Sequence, residues 1–383
     1  MLDKLLAKLQ AAPDYILPFL VILTILVFVH EMGHYLIARY NGVRVEVFSI
    51  GFGPELFGRN DRHGTRWKFS MIPLGGYVKM YGEGDDHEPP EETAKRYKER
   101  GLAPPRSEES FHNKRVGQRA AIVAAGPAAN YVFAVLIFAA LFVSIGQRVT
   151  TPVIGEVIAG SVAEKAGFRV GDTIVGIDDQ QITRFEQIIG IVQLHPGVPM
   201  KFVVARDGAE RTLDVTPVKE ETTDAFGNVH SVGRIGLKPD NIGRMVQHGP
   251  VGAIYEAGKE TLAITWGSLT AIGQMIAGTR NSNELGGPVM IAKYSGDIWK
   301  LDATSILWFM ANLSISLGLI NLFPVPMLDG GHLLFYAYEA ARGRPLGARL
   351  QEYGFRIGLA LVIGLLVFAT WNDLRKVFQG VIT

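Results

Sequence analysis

The stretch VFVHEMGHYL, residues 27–36, places His30, Glu31 and His34 inside YILPFLVILTILVFVHEMGHYLIARY, a run whose other residues are almost all soluble in lipid. Ionisable side chains in hydrocarbon are costly and mark functional sites. Histidines four apart share one face of a helix, so both imidazoles can hold one metal ion, and Glu31 beside them can take a proton from a water on that ion. Zinc accepts nitrogen and oxygen donors and lowers the pKa of such a water to about 7. Read instead as packing residues, two imidazoles and a carboxylate would sit in lipid with no partner.

A catalytic zinc takes three protein ligands and keeps a fourth position open. The chain has no cysteine, so the third ligand must be a nitrogen or an oxygen. The segment NLFPVPMLDGGHLL, 321–334, offers Asp329. Pro324 and Pro326 cannot continue a helix, which predicts Asp329 on extended backbone ahead of a helix resuming after Gly330 and Gly331. His332 is the competing donor and is expected to be a polar neighbour instead.

These residues need membrane elements to position them. Of 383 residues, 48% are hydrophobic and 20% charged, a balance that suits a membrane protein with a soluble insert. The net charge of +1 gives no basis for binding nucleic acid. Four segments reach the length of about 20 residues that a bilayer demands: 15–37, 120–146, 303–325 and 354–371. A fifth, 261–278, is diluted by Gly, Ser, Thr and Gln and reads as an amphipathic helix on the membrane surface. The N-terminal lead-in has no small-residue cleavage site, so the first span is expected to be an uncleaved anchor.

Basic residues crowd the loop before the second span (Lys114, Arg115, Arg119) and the short loop before the last (Arg342, Arg344, Arg349), which assigns both loops to the cytoplasm. The N-terminus, 147–302 and the C-terminus are then outside. Spans one and three run in the same direction, so His30, His34 and Asp329 arrive together at the cytoplasmic side.

The resulting organisation is a first helix with the His pair in 1–40, a β-hairpin region in 41–82 where apolar residues alternate, and a charged loop in 83–116. A second span follows in 117–147. An α+β domain with a following strand occupies 150–240, its hairpin turning at Asp207-Gly208. The interfacial helix and a linker fill 248–300, the third span with the Asp motif 303–332, and the fourth span 350–373.

Taken together, HEMGH in the first span, GPAAN (126–130) in the second and NLFPVPMLDGG (321–331) in the third resemble the site-2 protease family of intramembrane zinc metalloproteases. The order of parts is similar to its bacterial regulator-of-sigma-E group, and AGSVAEKAGFRVGDTIVGID resembles bacterial PDZ sequence. The resemblance implies a polytopic α-helical membrane protein with four transmembrane helices, a membrane-associated β-hairpin region and an inserted α+β PDZ domain. It implies a bacterial inner-membrane location, with the site toward the cytoplasm and the PDZ domain outside. It makes His30, His34 and Asp329 the ligands of Zn2+ and Glu31 the general base.

The family pattern assigns Asn321, Pro324, Pro326, Gly126, Pro127 and Asn130 to substrate binding. For Asn321 an interhelical hydrogen bond is the alternative, and for Gly126, Pro127 and Asn130 close helix packing. The implied partners are single-span membrane-protein substrates, such as anti-sigma factors or remnant signal peptides, a PDZ ligand or external substrate region, and the lipid bilayer, with no nucleic acid. Two departures stand out. The chain has one PDZ-like insert where well-known members have two, and Ser316 where some relatives have a further asparagine. A scaffold with a structural metal would want four protein ligands, and a zinc transporter would want polar residues along several spans.

Overall fold

The computed structural model describes residues 2–83, 97–98, 103–223, 229–240, 243–278 and 286–382. Contacts divide the chain into two compact units, one of 1–137 with 286–383 and one of 138–285. The first unit opens with helix α1 (Leu2–Tyr40), strands β1 (Val45–Asn60) and β2 (Arg66–Met80), and helix α2 (Val116–Ser144), whose last turns belong to the second unit. The second continues through β3 (Gln147–Val149), β4 (Ile154–Val157), α3 (Val162–Ala166), β5 (Thr173–Ile177), β6 (Gln180–Gln181), α4 (Phe185–Leu194), β7 (Met200–Arg206) and β8 (Ala209–Val215). It ends with β9 (Val218–Thr223), β10 (Val229–Arg234), β11 (Leu237–Pro239), β12 (Arg244–Val246) and α5 (Pro250–Ile276). The chain then returns to the first unit as α6 (Pro288–Trp299), α7 (Ala303–Asn321), α8 (Asp329–Arg342) and α9 (Ala348–Ile382).

Among the described residues four helical stretches are long and apolar enough to cross a membrane: Pro13–Tyr40, Val116–Ser144, Ala303–Asn321 and Arg349–Lys376. The lead-in and the first of these form one continuous helix, with Pro13 and Pro18 inside it. Lipid-soluble helices gain little from burying apolar surface against each other, so small residues that let backbones approach decide where they meet. A Cβ at Gly33 of α1 would overlap the Ala125 carbonyl of α2, and one at Gly318 of α7 would stand 3.1 Å from the Pro127 carbonyl. Residues 261–276 of the fifth segment are the second part of α5, which starts earlier, with Pro250 in its first turn. Half of the expected loop 83–116 lies outside the described residues.

In place of several hairpins, β1 and β2 are two long strands that each bend and pair twice. Val45–Ile50 runs antiparallel to Gly76–Met80, and Glu55–Asn60 antiparallel to Arg66–Ser70. Val47–Ile50 also steps alongside Arg66–Phe69 in the same direction, so Val47 lies opposite both Lys79 and Arg66. The two bent strands thus form a sheet four segments wide. Reversal within a strand needs left-handed backbone, supplied by Gly51 (φ +90°), Gly53 (φ +86°) and Gly75 (φ +135°). Phe48 fixes the sheet to α1, packing edge-on against Phe28 and Tyr35 at ring distances of 5.8 Å in both cases.

The third apolar helix stops at Asn321, short of the expected 325. Asp329 is not on extended backbone: it is the first residue of α8, after Leu328 in β conformation. The resumption comes three residues earlier than the glycine pair suggested because a carboxylate in the first turn favours the helix and because Gly330 and Gly331 are already needed inside it. A Cβ at Gly330 would overlap the carbonyls of Leu322 and Phe323, and one at Gly331 would stand 2.5 Å from that of Val325. Met327 reaches this tight turn at φ +92°, a strained setting for a side chain.

In the second unit, β5 is flanked by β6 and β7, and β7 by β8, while β4 pairs with β11. Asp207 (φ +50°) and Gly208 (φ +80°) make the tight β7–β8 turn. The core gathers Ile154, Phe168, Ile174, Ile188, Phe202 and Val204. Beside it Asp172, 1% exposed, accepts two bonds from Arg206, at 2.6 Å from Nε and 2.7 Å from Nη2. Burial pushes the Asp172 carboxyl up, but the Arg206 guanidinium and the Arg169 N–H outweigh it and hold the group below its ordinary value.

Because its folded pKa is depressed, Asp172 contributes stability above its ordinary pKa of about 4, and that contribution is lost as pH falls through the folded value. Asp172→Ala strands the Arg206 charge and should cost the domain about 3 kcal/mol. In the full chain at neutral pH this reads as faster proteolytic cleavage within 150–240. Wild-type protection in the variant would show the pair to be dispensable.

Candidate metal centre

The site lies wholly within the first unit. Helical spacing puts His30 and His34 on one face of α1, and the first turn of α8 brings Asp329 against them. The two Nε2 atoms stand 3.2 Å apart, His30 Nε2 lies 3.2 Å from Asp329 Oδ2, and His34 Nε2 lies 3.5 Å from Asp329 Oδ1. Ligand atoms about 2.0–2.1 Å from a tetrahedral zinc stand about 3.3 Å from one another, so this triangle has the dimensions of three corners of such a site. His30, Glu31 and His34 are each 9% exposed.

The far side of each imidazole decides which nitrogen offers a lone pair. His34 Nδ1 meets the Ile122 carbonyl at 2.9 Å, which fixes the proton on Nδ1 and leaves Nε2 bare. His30 Nδ1 meets Asn130 Nδ2 at 3.1 Å, while Asn130 Oδ1 is buried with no hydrogen-bond partner among the described residues, an imbalance that exchanging the two carboxamide atoms removes. With its oxygen turned to the ring, that carboxamide accepts Nδ1–H and frees Nε2 in the same way. Asn130 is itself fully buried, and Ser314 Oγ of α7 donates to its backbone carbonyl at 2.8 Å. Two bare nitrogens and a carboxylate then face one another. Asp329 Oδ2 is buried and has no hydrogen-bond partner among the described residues. A donor set so arranged fits a cation, and these two histidines and one aspartate form the cluster of metal-binding dimensions among the described residues.

Gly126 leaves room for the cluster, since a Cβ there would overlap His34 Nε2 and lie 2.9 Å from His30 Cε1. Glu31 lies under the sheet, with the Val78 backbone N–H as a partner. A Cβ at Gly76 would crowd the Glu31 side chain at 3.1 Å, which explains a glycine there. His332 stays out of the triangle and packs by the rings of Phe335 and Phe355, at 6.5 and 5.5 Å. Pro324 is exposed on the turn, while Pro326 packs against Gly354 and Gly358 of α9 and braces the approach to Asp329. Pro127 sits inside α2, one residue beyond Gly126. Asn321 ends α7 and makes no side-chain hydrogen bond among the described residues, and Ser316 bonds back to Asn312 of its own helix at 3.0 Å.

Sequence reading missed Ile122, Ser314, Gly76 and Val78. A backbone carbonyl and a backbone N–H have no residue-type signature, and Ser314 looks like an ordinary helix serine. The Gly75-Gly76 pair in a strand was a usable signal of close approach.

A family model described as peptidase family M50 matches residues 18–365. A relative in Agrobacterium fabrum, named "Putative zinc metalloprotease", is 45% identical over 98% of this chain and 99% of its own length. Metalloprotease MmpA of Caulobacter vibrioides is 38% identical over 93% of this chain and 94% of its own. The solved PDZ domain of an SdrC-like protein from Listeria monocytogenes aligns with 25% of this chain and 93% of its own length, at 16% identity and a TM-score of 0.19.

If Asn130 sets the His30 tautomer, Asn130→Ala should weaken zinc binding about 10–100-fold with helical content unchanged. Competition with a coloured chelator measures it. Unaltered affinity would mean that His30 needs no such support.

Proposed function

The chain belongs to peptidase family M50, and on that premise we propose that it is an intramembrane zinc metallopeptidase that cuts single-span membrane proteins within or near their transmembrane segments. The observation that carries this reading is the triangle of donors with Glu31 beside it, its two histidines and Glu31 lying on a helix apolar enough to cross a bilayer. In this reading four helices are embedded in a bacterial inner membrane, with the site toward the cytoplasm, where the basic loops belong. The insert at 150–240 is read as a PDZ domain on the outer side that meets external parts of substrates.

His30, His34 and Asp329 would hold the zinc, with Asn130 and the Ile122 carbonyl fixing the imidazoles from behind. Bound there, zinc would supply a Lewis acid for the scissile carbonyl and for the attacking water. Glu31 takes the water's proton and passes it to the leaving amine, held in place by the Val78 N–H. A peptide bond in a helix is shielded by its own hydrogen bonds, so the substrate must unwind before it is cut. The segment Gly76–Met80 pairs only with Val45–Ile50 among the described residues, which leaves its other edge open to an extended substrate strand. Asn321, Pro324 and Pro326, on the turn leading to Asp329, are read as contacts for that strand, with Gly126 and Pro127 keeping the space beside it.

Glu31→Gln removes the proton acceptor and keeps the shape, so cleavage of co-expressed, tagged single-span proteins should fall at least about a hundredfold. Zinc content should stay at the wild-type level. Full cleavage by this variant would sink the mechanism, and an inactive variant that has also lost zinc would place Glu31 among the ligands instead.

A further inference from the structure

The sheet carries a second polar feature away from the metal centre. A cavity of about 340 Å³ is lined by Arg59, Asn60, Asp61, Arg62 and Trp67, where β1 gives way to β2. Asp61 is already satisfied: it accepts from Tyr35 Oη at 3.2 Å, Trp67 Nε1 at 3.0 Å and the backbone N–H groups of His63 and Thr65 at 2.8 and 2.9 Å. Burial pushes its carboxyl up, yet the Trp67 indole N–H and the two backbone N–H groups outweigh that and keep it ionised and engaged. Arg66 is paired with Glu55 and bonds Asn60 Oδ1 at 3.3 Å. Arg59 and Arg62 have no acidic partner within ion-pair distance among the described residues. The cavity therefore presents two unmatched guanidinium forks, the geometry that takes up phosphate oxygens in pairs.

Its depth is set by α1. Tyr35, which bonds Asp61, lies in the turn before that helix ends at Tyr40, so the cavity stands about 7 Å from the end of an apolar span. Trp67, the aromatic wall, stacks on Phe48 at 4.3 Å and meets Tyr35 edge-on at 5.1 Å. Next to it the same two strands expose Phe52, Leu56, Phe57, Met71, Ile72 and Leu74, each 45–64% accessible. An apolar strip bordered by Trp, Tyr and unpaired Arg is the arrangement of a bilayer's headgroup level.

We propose that the cavity lined by Arg59, Arg62 and Trp67 binds the phosphate of an anionic phospholipid headgroup and so anchors the sheet to the membrane surface. The proposal rests on the membrane-embedded reading above. It links lipid to the metal centre, because Trp67 stacks on Phe48 and the sheet that Phe48 fixes to α1 carries the Gly76–Val78 stretch over Glu31.

The test titrates short-chain phosphatidylglycerol, short-chain phosphatidylcholine and inorganic phosphate into the full detergent-purified chain by calorimetry. Phosphatidylglycerol should bind saturably at one site, phosphatidylcholine should not, and inorganic phosphate should bind more weakly than phosphatidylglycerol. Arg59→Ala with Arg62→Ala should weaken phosphatidylglycerol roughly thirtyfold, each basic side chain at a membrane surface contributing about fivefold. Wild-type binding should also weaken with added salt, a reading that does not depend on the variant folding. Undiminished binding in the double variant, salt-independent binding, or equal affinity for phosphatidylcholine overturns the proposal. Inorganic phosphate binding as tightly as phosphatidylglycerol makes the cavity a soluble-anion site and overturns the lipid assignment. Retention of the chain in membranes after alkaline carbonate washing reads the embedding separately, so loss there counts against the membrane reading alone.

Discussion

Three ionisable donors held about 3 Å apart among apolar helices set the terms for the whole first unit. Charged or bare polar atoms in such surroundings are expensive unless they answer one another or a cation, and that demand constrains the helices around them. The response of the chain is largely one of making room. Gly126 clears the space beside His34, Gly33 brings α1 against α2, and Gly318 brings α7 against α2. Each of these positions would put a Cβ into a neighbour's atoms or at the limit of contact.

Orientation is handled by a different set of bonds. The Ile122 carbonyl and Asn130 hold the two imidazoles from behind, and Ser314 ties the backbone of Asn130 to α7. Helices α2 and α7 thus meet behind the histidines that α1 presents, so a shift in either would be felt as a rotated ring. The turn from 322 to 328 does the same for Asp329, at the cost of left-handed backbone at Met327.

The sheet solves a separate problem, which is to bring an extended edge close to a carboxylate on a helix. Two strands alone would make a narrow ribbon. Bending each at glycine widens it to four segments, with one face on α1 and an apolar rim left exposed. Gly76 is what lets the edge segment lie against Glu31.

Much of this was legible from residue types. Two histidines and a glutamate at helical spacing in an apolar run specify a shared face and a metal chemistry, because helical periodicity is local and lipid-soluble surroundings leave ionisable groups no neutral role. The Pro-x-Pro turn before Asp329 announced an interrupted helix, and Asp207-Gly208 announced a hairpin, since both are dictated by backbone sterics within a few residues. Tertiary structure alone decided the rest. Whether Asp329 or His332 faced the histidines depended on how the 322–328 turn packs on α9, and the helix began at Asp329 because Gly330 and Gly331 were needed against the carbonyls of that turn. The double pairing of β1 with β2 and the Asn130 brace on His30 likewise join residues far apart in the chain. Such distant pairings leave no local periodicity to read, because their energies come from contacts that exist only once the helices and the sheet have closed on one another.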